Sequence, residues 1–210
     1  MYKKIRAFFK KVIPQTLVKK VRQTNIILKW YFDGRPDPAP DPIKHRIIRG
    51  FGKKHGLKTF VETGTAGGLM VRAVRRTFPK IISIELFDEL YENARKMFVD
   101  DKNITIIHGD SGEKLIEILP NITEPVFFWL DAHYSGEGTA KAAIETPIVK
   151  ELLTIFARKN KKDVIMIDDA RCFDGTHDYP TLKEIRDLVT AQGNLSFRIV
   201  RDMMLIEPAS

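Results

Sequence analysis

The period of the apolar positions changes along the chain. From Ile5 to Val21 they recur at helical spacing (Ile5, Phe8, Phe9, Val12, Ile13, then Leu17, Val18, Val21), with an interruption at Pro14. From residue 57 onward, short unbroken apolar runs alternate with longer stretches of helical period. The runs predict strands at Thr59–Glu62, Ile81–Glu85, Ile104–His108, Val126–Asp131 and Val164–Asp168, and a last pair at Phe197–Val200 and Met203–Ile206 that turns at Arg201-Asp202. Between them the spacing predicts helices over Leu69–Thr77, Phe87–Phe98, Gly112–Leu119, Thr146–Lys159 and Thr181–Ala191, and before them a helix over 43–56. Unbroken apolar strands that alternate with helices are buried on both faces, which makes a mostly parallel sheet. The expected fold is α/β: a doubly wound, Rossmann-like sheet of seven strands with helices on both faces and an antiparallel edge hairpin.

The stretch from Gly34 to Pro42 holds four prolines in nine residues, too many for a helix interior or a central strand. It reads as an extended linker over 34–42. It separates a basic helical arm, 1–33, from the main domain, 43–210. Charge follows the same division. Residues 1–30 contain nine of the 35 Lys and Arg and no acid, which leaves 26 bases against 27 acids over 31–210. A nearly neutral body argues against a nucleic-acid binder, which carries its basic stripe on the fold itself. Apolar runs in the arm reach only three residues, too short for a signal-peptide core or a membrane span. Two readings of the arm stand. It packs on its own domain or on a twin subunit, as in a homodimer; or residues 1–30 make peripheral contact with an anionic membrane surface or a partner.

A chain of 210 residues is long enough for one domain with a full core. Its single cysteine, Cys172, forms no internal disulfide and sits in no zinc-like spacing. That usage fits a reducing compartment and a cytoplasmic protein.

In a doubly wound sheet, ligands bind beyond the carboxyl ends of the strands. Each of the first five predicted strands ends in, or is closely followed by, an acid: Glu62, Glu85, Asp110 with Ser111, Asp131, and the pair Asp168-Asp169. A glycine-rich turn, Gly64-Thr65-Ala66-Gly67-Gly68, follows the first. Glu85 lies 17 residues past Gly68, where a carboxylate can accept the hydroxyl hydrogens of a ribose. Asp110 and Ser111 either meet an adenine edge or cap the next helix, with Ser111 the stronger capping candidate. The turn holds no Lys or Arg, and Glu62 would repel a pyrophosphate. Acids here suit a zwitterionic, sulfonium-bearing cofactor better than a dinucleotide.

This ordered set resembles the motifs of the class I S-adenosylmethionine-dependent methyltransferases. VETGTAGG matches their acid-x-Gly-x-x-x-Gly motif through Glu62, Gly64 and Gly68, with Thr65 in the same turn. SIEL matches the ribose-binding acid through Glu85, HGDS the adenine-proximal motif through Asp110 and Ser111, and FFWLDAH the motif after strand four through Asp131. The order holds over roughly residues 57–206. The resemblance implies S-adenosylmethionine as cofactor and methyl transfer as activity.

The segments WLDAH and MIDDAR are similar, further, to the metal-dependent O-methyltransferases of the catechol and macrolide-sugar type. That similarity implies Mg²⁺ on Asp131, Asp168 and Asp169, whose hard oxygens suit the ion. The alternative for Asp168-Asp169 is capping or loop solvation. Catechol-type enzymes carry a Lys three residues after the first Asp, where this chain has Tyr134. His133 becomes the candidate general base, against a bland role in bonding loop backbone. His177 is a weaker candidate. Ser135, Gly136, Glu137 and Thr139 in the following loop suit a hydroxylated small-molecule or glycan acceptor. The rival readings are a metal-independent enzyme acting on nitrogen or carbon, and a non-catalytic cofactor-binding scaffold docked to a membrane or a glycan-assembly complex. Strand four lacks the Asn/Asp-Pro-Pro-Tyr/Phe sequence of base-modifying enzymes, so no nucleic-acid partner is expected.

Overall fold

The computed structural model describes residues 15–131, 146–158, 160 and 162–209. The chain divides into two compact units, Met1–Ile47 and Ile48–Ser210.

In the first unit, helix α1 runs Gln15–Phe32. Trp30 is buried with Ala39 and Ile43, and Ile27 and Ile47 pack against them. The Trp30 indole Nε1 donates to the Pro36 carbonyl at 2.7 Å, so the ring is buried with its polar atom satisfied. Helix α2, Asp41–Lys54, begins two residues inside the proline-rich stretch. Pro42 falls in its first turn, where a missing N–H costs nothing and the fixed φ already suits a helix.

The second unit contains the sheet. Its strands are β1 (Thr59–Thr63), β2 (Lys80–Glu85), β3 (Ile104–His108), β4 (Val126–Leu130), β5 (Val164–Ile167), β6 (Leu195–Val200) and β7 (Met203–Pro208). The helices between them are α3 (Leu69–Val74), α4 (Asp88–Met97), α5 (Ser111–Ile118), α6 (Ile148–Ala157) and α7 (Leu182–Thr190). The spatial order is β3-β2-β1-β4-β5-β7-β6. The first five strands pair in parallel, and β7 enters antiparallel between β5 and β6. This is the expected seven-stranded sheet. The strand order, with β1 beside β4, was not among the sequence expectations.

Strand alternation sorts the side chains onto two faces. Val61, Ile84, Phe128, Leu130, Ile165 and Ile167 pack on one face with Leu115 of α5, Leu152 and Ile155 of α6, and Ile185 and Val189 of α7. Phe60, Phe78 and Phe127 stack on the other with ring centroids 5.0–5.8 Å apart. Each such buried ring contributes about 1.5–3 kcal/mol by leaving water.

The amino-terminal rim of the sheet is tied by one buried ion pair. Arg158 Nε lies 3.0 Å from Asp163 Oδ2, and the guanidinium also donates to the carbonyls of Leu119, Ile122 and Glu124. Asp163 accepts the Val126 N–H at 2.8 Å. Every polar group in the cluster is thereby engaged, which is the condition under which a buried pair holds a fold together.

Candidate functional site

The carboxyl ends of β1, β2, β4 and β5 meet at the opposite rim. Glu62 lies within β1, fully buried, and accepts a hydrogen bond from Ser83 Oγ of the neighbouring β2 at 2.5 Å. Thr65 Oγ1 is 2.6 Å from the same Ser83 hydroxyl. When Glu62 is ionised, Ser83 donates to it and Thr65 donates to Ser83. Burial pushes the Glu62 carboxyl well above the usual carboxylate range; the Ser83 hydrogen bond opposes this, and the charges of Asp131 and Glu85 add to it. Three acids thus share one small volume.

The glycine turn is built around that carboxyl. Gly68 has φ +65° and precedes α3; a Cβ there would lie 2.8 Å from the Phe98 ring. Ala66 also has positive φ, +44°, and its N–H donates to Glu85 Oε2 at 2.7 Å. The other Glu85 oxygen accepts the Phe87 N–H at 2.9 Å. Glu85, expected as a ribose ligand, therefore has a structural duty as well: it shapes the turn it faces. Each carboxylate oxygen offers a second acceptor site, so both duties fit one side chain.

Asp110 and Ser111 resolve differently from the expectation. Asp110 is the N-cap of α5, and its side chain accepts the Glu113 N–H at 3.0 Å. Ser111, the favoured cap from sequence, is instead the first helical residue and is buried. Two further polar atoms at this rim are buried without a partner among the described residues: Thr63 Oγ1 and Trp129 Nε1. Trp129 pairs in register with Glu62, so it shares the same face of the sheet. Ser83, Thr63 and Trp129 were missed in the sequence because each reads as an ordinary strand residue. Only the register places them beside Glu62 or at the end of β1.

Asp131 and Asp168 each sit one residue past their strand. The Asp131 N–H bonds the Thr63 carbonyl and the Asp168 N–H bonds the Leu130 carbonyl, both at 3.1 Å. Asp168 Oδ1 accepts the N–H of Asp169 at 2.9 Å. Asp169 has φ +53°, and its carboxylate is engaged by the Arg171 guanidinium at 2.8 Å. Arg171 also pairs with buried Asp202 from the β6–β7 turn, whose other oxygen accepts the Arg171 backbone N–H at 2.9 Å. The donor chemistry of Asp131, Asp168 and Asp169 suits Mg²⁺, but their arrangement does not. Among the described residues no three acids, histidines or cysteines converge where an ion could sit, and the third expected ligand already has a cation on it.

Cys172, just beyond Arg171, has its thiol pushed up by burial and by the nearby Asp169 charge, which keeps it a weak nucleophile. His133 and the acceptor-loop positions Ser135, Gly136, Glu137 and Thr139 lie outside the described residues. His177, at φ +53° on the loop after β5, is within them.

The fold is that of the class I methyltransferases. Over 98% of this chain and 96% of the other, it superposes on the O-methyltransferase from Bacillus cereus in complex with SAH, with a TM-score of 0.63 and 15% identity. The O-methyltransferase TomG from Streptomyces achromogenes, involved in tomaymycin synthesis and solved with SAM, matches 90% of this chain and 89% of its own at a TM-score of 0.62 and 13% identity. MycE, a methyltransferase of the mycinamycin pathway solved with Mg and SAH, matches 78% of this chain and 48% of its own at a TM-score of 0.55 and 15% identity. No protein-family model matches the chain, and no curated protein matches it.

Proposed function

We propose that this protein is an S-adenosylmethionine-dependent methyltransferase whose acceptor is a hydroxyl of a small molecule or glycan. One observation carries the reading: Glu62 is fully buried beside the glycine turn, on Ser83 and close to Asp131 and Glu85, and burial and those two charges push its carboxyl up. A cationic ligand group relieves that repulsion, whereas a phosphate adds to it. When bound, the cofactor supplies an electrophilic methyl group on a positively charged sulfur.

The chain's own residues divide the remaining work. Glu62, Gly64, Thr65 and Gly68 form the seat for the amino-acid end, with Thr63 Oγ1 and Trp129 Nε1 as uncommitted polar atoms nearby. Glu85 takes the ribose hydroxyls on its remaining lone pairs. Asp110 holds the start of α5 near the adenine edge. Asp131 and His133, two residues apart in sequence, are the groups proposed to take the acceptor proton. Holding donor and acceptor in line supplies a large share of the rate. No step is routed through a metal, because Arg171 occupies the Asp169 carboxylate. The hydroxyl acceptor rests on the polar residues of 133–145 and on the O-methyltransferases that share the fold.

Calorimetric titration with S-adenosylhomocysteine tests the cofactor reading. The expected result is binding that His133→Ala leaves intact and Glu62→Leu weakens at least tenfold. No heat with either S-adenosylmethionine or its demethylated product overturns it. Methyl transfer to a panel of sugar and phenolic hydroxyls, with amine acceptors alongside, tests the acceptor. Turnover confined to amines overturns that part while leaving the cofactor reading in place.

A further inference from the structure

Helix α1 packs through one side only. Trp30 and Ile27 turn toward Ala39, Ile43 and Ile47. At 3.6 residues per turn, Leu17, Leu28, Val21, Phe32 and Val18 fall within about 100° of arc on the far side. All five are exposed, Phe32 at 87%, Val21 at 52%, Leu17 at 51%, Leu28 at 48% and Val18 at 47%. A single exposed leucine is ordinary; five large apolar side chains on one side of four turns, interrupted by Thr24 and Asn25 between Val21 and Leu28, are not.

The charges that border the stripe identify what covers it. Lys20 lies at one edge, and Lys29 and Arg22 at the other. Lys29 pairs with Asp33 at 2.7 Å, but both side chains face solvent and such a pair is weak. The helix itself has no acid, and residues 1–30 carry nine bases and none. A second copy docked stripe to stripe would bring two such segments together with no acid between them. A nucleic acid would answer the charge and leave the apolar stripe in water. An anionic lipid surface answers both, because headgroups meet the bases while the stripe enters the acyl boundary. No described helix is long and apolar enough to cross a membrane.

We propose that α1 docks this protein onto an anionic membrane surface through Leu17, Val18, Val21, Leu28 and Phe32, with Lys20 and Arg22 on the headgroups. The reading is independent of the catalytic proposal. It places the methyltransferase fold at a bilayer, where acceptors that are themselves lipid-linked would be concentrated.

Co-sedimentation of the full chain with vesicles is the test. Binding is expected to equimolar phosphatidylcholine and phosphatidylglycerol, and not to phosphatidylcholine alone. Lys20→Gln with Arg22→Gln should weaken it about 30-fold, at roughly 1 kcal/mol per basic residue. Leu28→Glu with Phe32→Glu should abolish it with the melting temperature unchanged; if that variant melts early, Leu17→Ser with Val21→Ser replaces it. Equal binding by wild type and both apolar variants overturns the proposal. So does a dimer in lipid-free solution that Phe32→Glu splits. Duplex DNA binding that needs Lys20 and Arg22 but not Phe32, with no vesicle binding, also overturns it.

Discussion

The Glu85 carboxylate accepts the N–H of Ala66 across a separation of 2.7 Å, joining the end of β2 to the turn that follows β1. Its second oxygen accepts the Phe87 N–H. A glutamine at this position has one oxygen and one NH₂ for two backbone donors. Glu85→Gln should therefore leave one partly buried N–H facing another donor and cost about 1 kcal/mol, the low end for an unsatisfied donor because solvent reaches it. At about 2–4 °C per kcal/mol for a chain of this size, calorimetry should show a clear fall in Tm. S-adenosylhomocysteine affinity should fall with it, since the turn is the proposed seat. Unchanged Tm with weakened binding would mean that Glu85 serves the ligand alone.

Glu62 gives the protein a signed response to pH. Burial, then the charges of Asp131 and Glu85, raise its carboxyl above the ordinary value of 4.5, against the Ser83 hydrogen bond. The folded state then holds a proton that the unfolded chain has released. Stability from this group is complete below 4.5 and is lost as pH climbs through the folded value. Wild type should lose stability relative to Glu62→Gln as pH rises through that window, as read by denaturant titrations at several pH values. Ligand-induced ionisation of Glu62 should release a proton, which calorimetry in buffers of different ionisation heat detects. A pH-independent difference between the two proteins would remove Glu62 from the argument.

Arg171 makes a prediction about divalent ions. It pairs with Asp169 and with buried Asp202, so Arg171→Gln should cost about 1–3 kcal/mol through the stranded Asp202 carboxylate, less to the extent that solvent reaches Arg171. The same change takes the guanidinium off the Asp169 carboxylate, next in sequence to Asp168. Excess MgCl₂ should then raise the Tm of Arg171→Gln and leave wild type where it was. Equal stabilisation of both proteins would show that an ion binds beside the guanidinium.

Gly68 couples the glycine turn to the core. Its φ of +65° costs an alanine about 1–2 kcal/mol, and the new Cβ would press on Phe98 at 2.8 Å. Gly68→Ala should lower both Tm and S-adenosylhomocysteine affinity. Adding Phe98→Leu should recover the steric part and not the conformational part. If the double variant is no better than the single one, the Phe98 contact does not matter.

Much of this was readable in advance because parallel strands buried on both faces must be apolar runs, and β3 was read to the residue at Ile104–His108. β4 and β5 each ended one residue early, at Leu130 and Ile167, because Asp131 and Asp168 still bond the ladder through their N–H groups while their side chains leave it. The rim acids were legible as residues past strand ends. Their partners were not. Ser83 beside Glu62 depends on the β1–β2 register, and Arg171 between Asp169 and Asp202 depends on where a hairpin 31 residues away folds back. Local pattern records what a residue is next to in sequence, and these contacts are set by topology.

The place of β7 has a consequence for how the chain is made. β6 is synthesised first, yet it reaches the sheet only through β7, which lies between it and β5. A nascent chain that has emerged through Val200 can align its five parallel strands but leaves the flank of β5 bare, with its N–H and C=O groups open to any extended segment nearby. Asp202 is also still missing at that point, so Arg171 has yet to gain its second carboxylate. The loop after β5 takes its final form only when Met203–Pro208 slots in, and a ribosome pause just before that strand would be the moment of greatest exposure to mispairing.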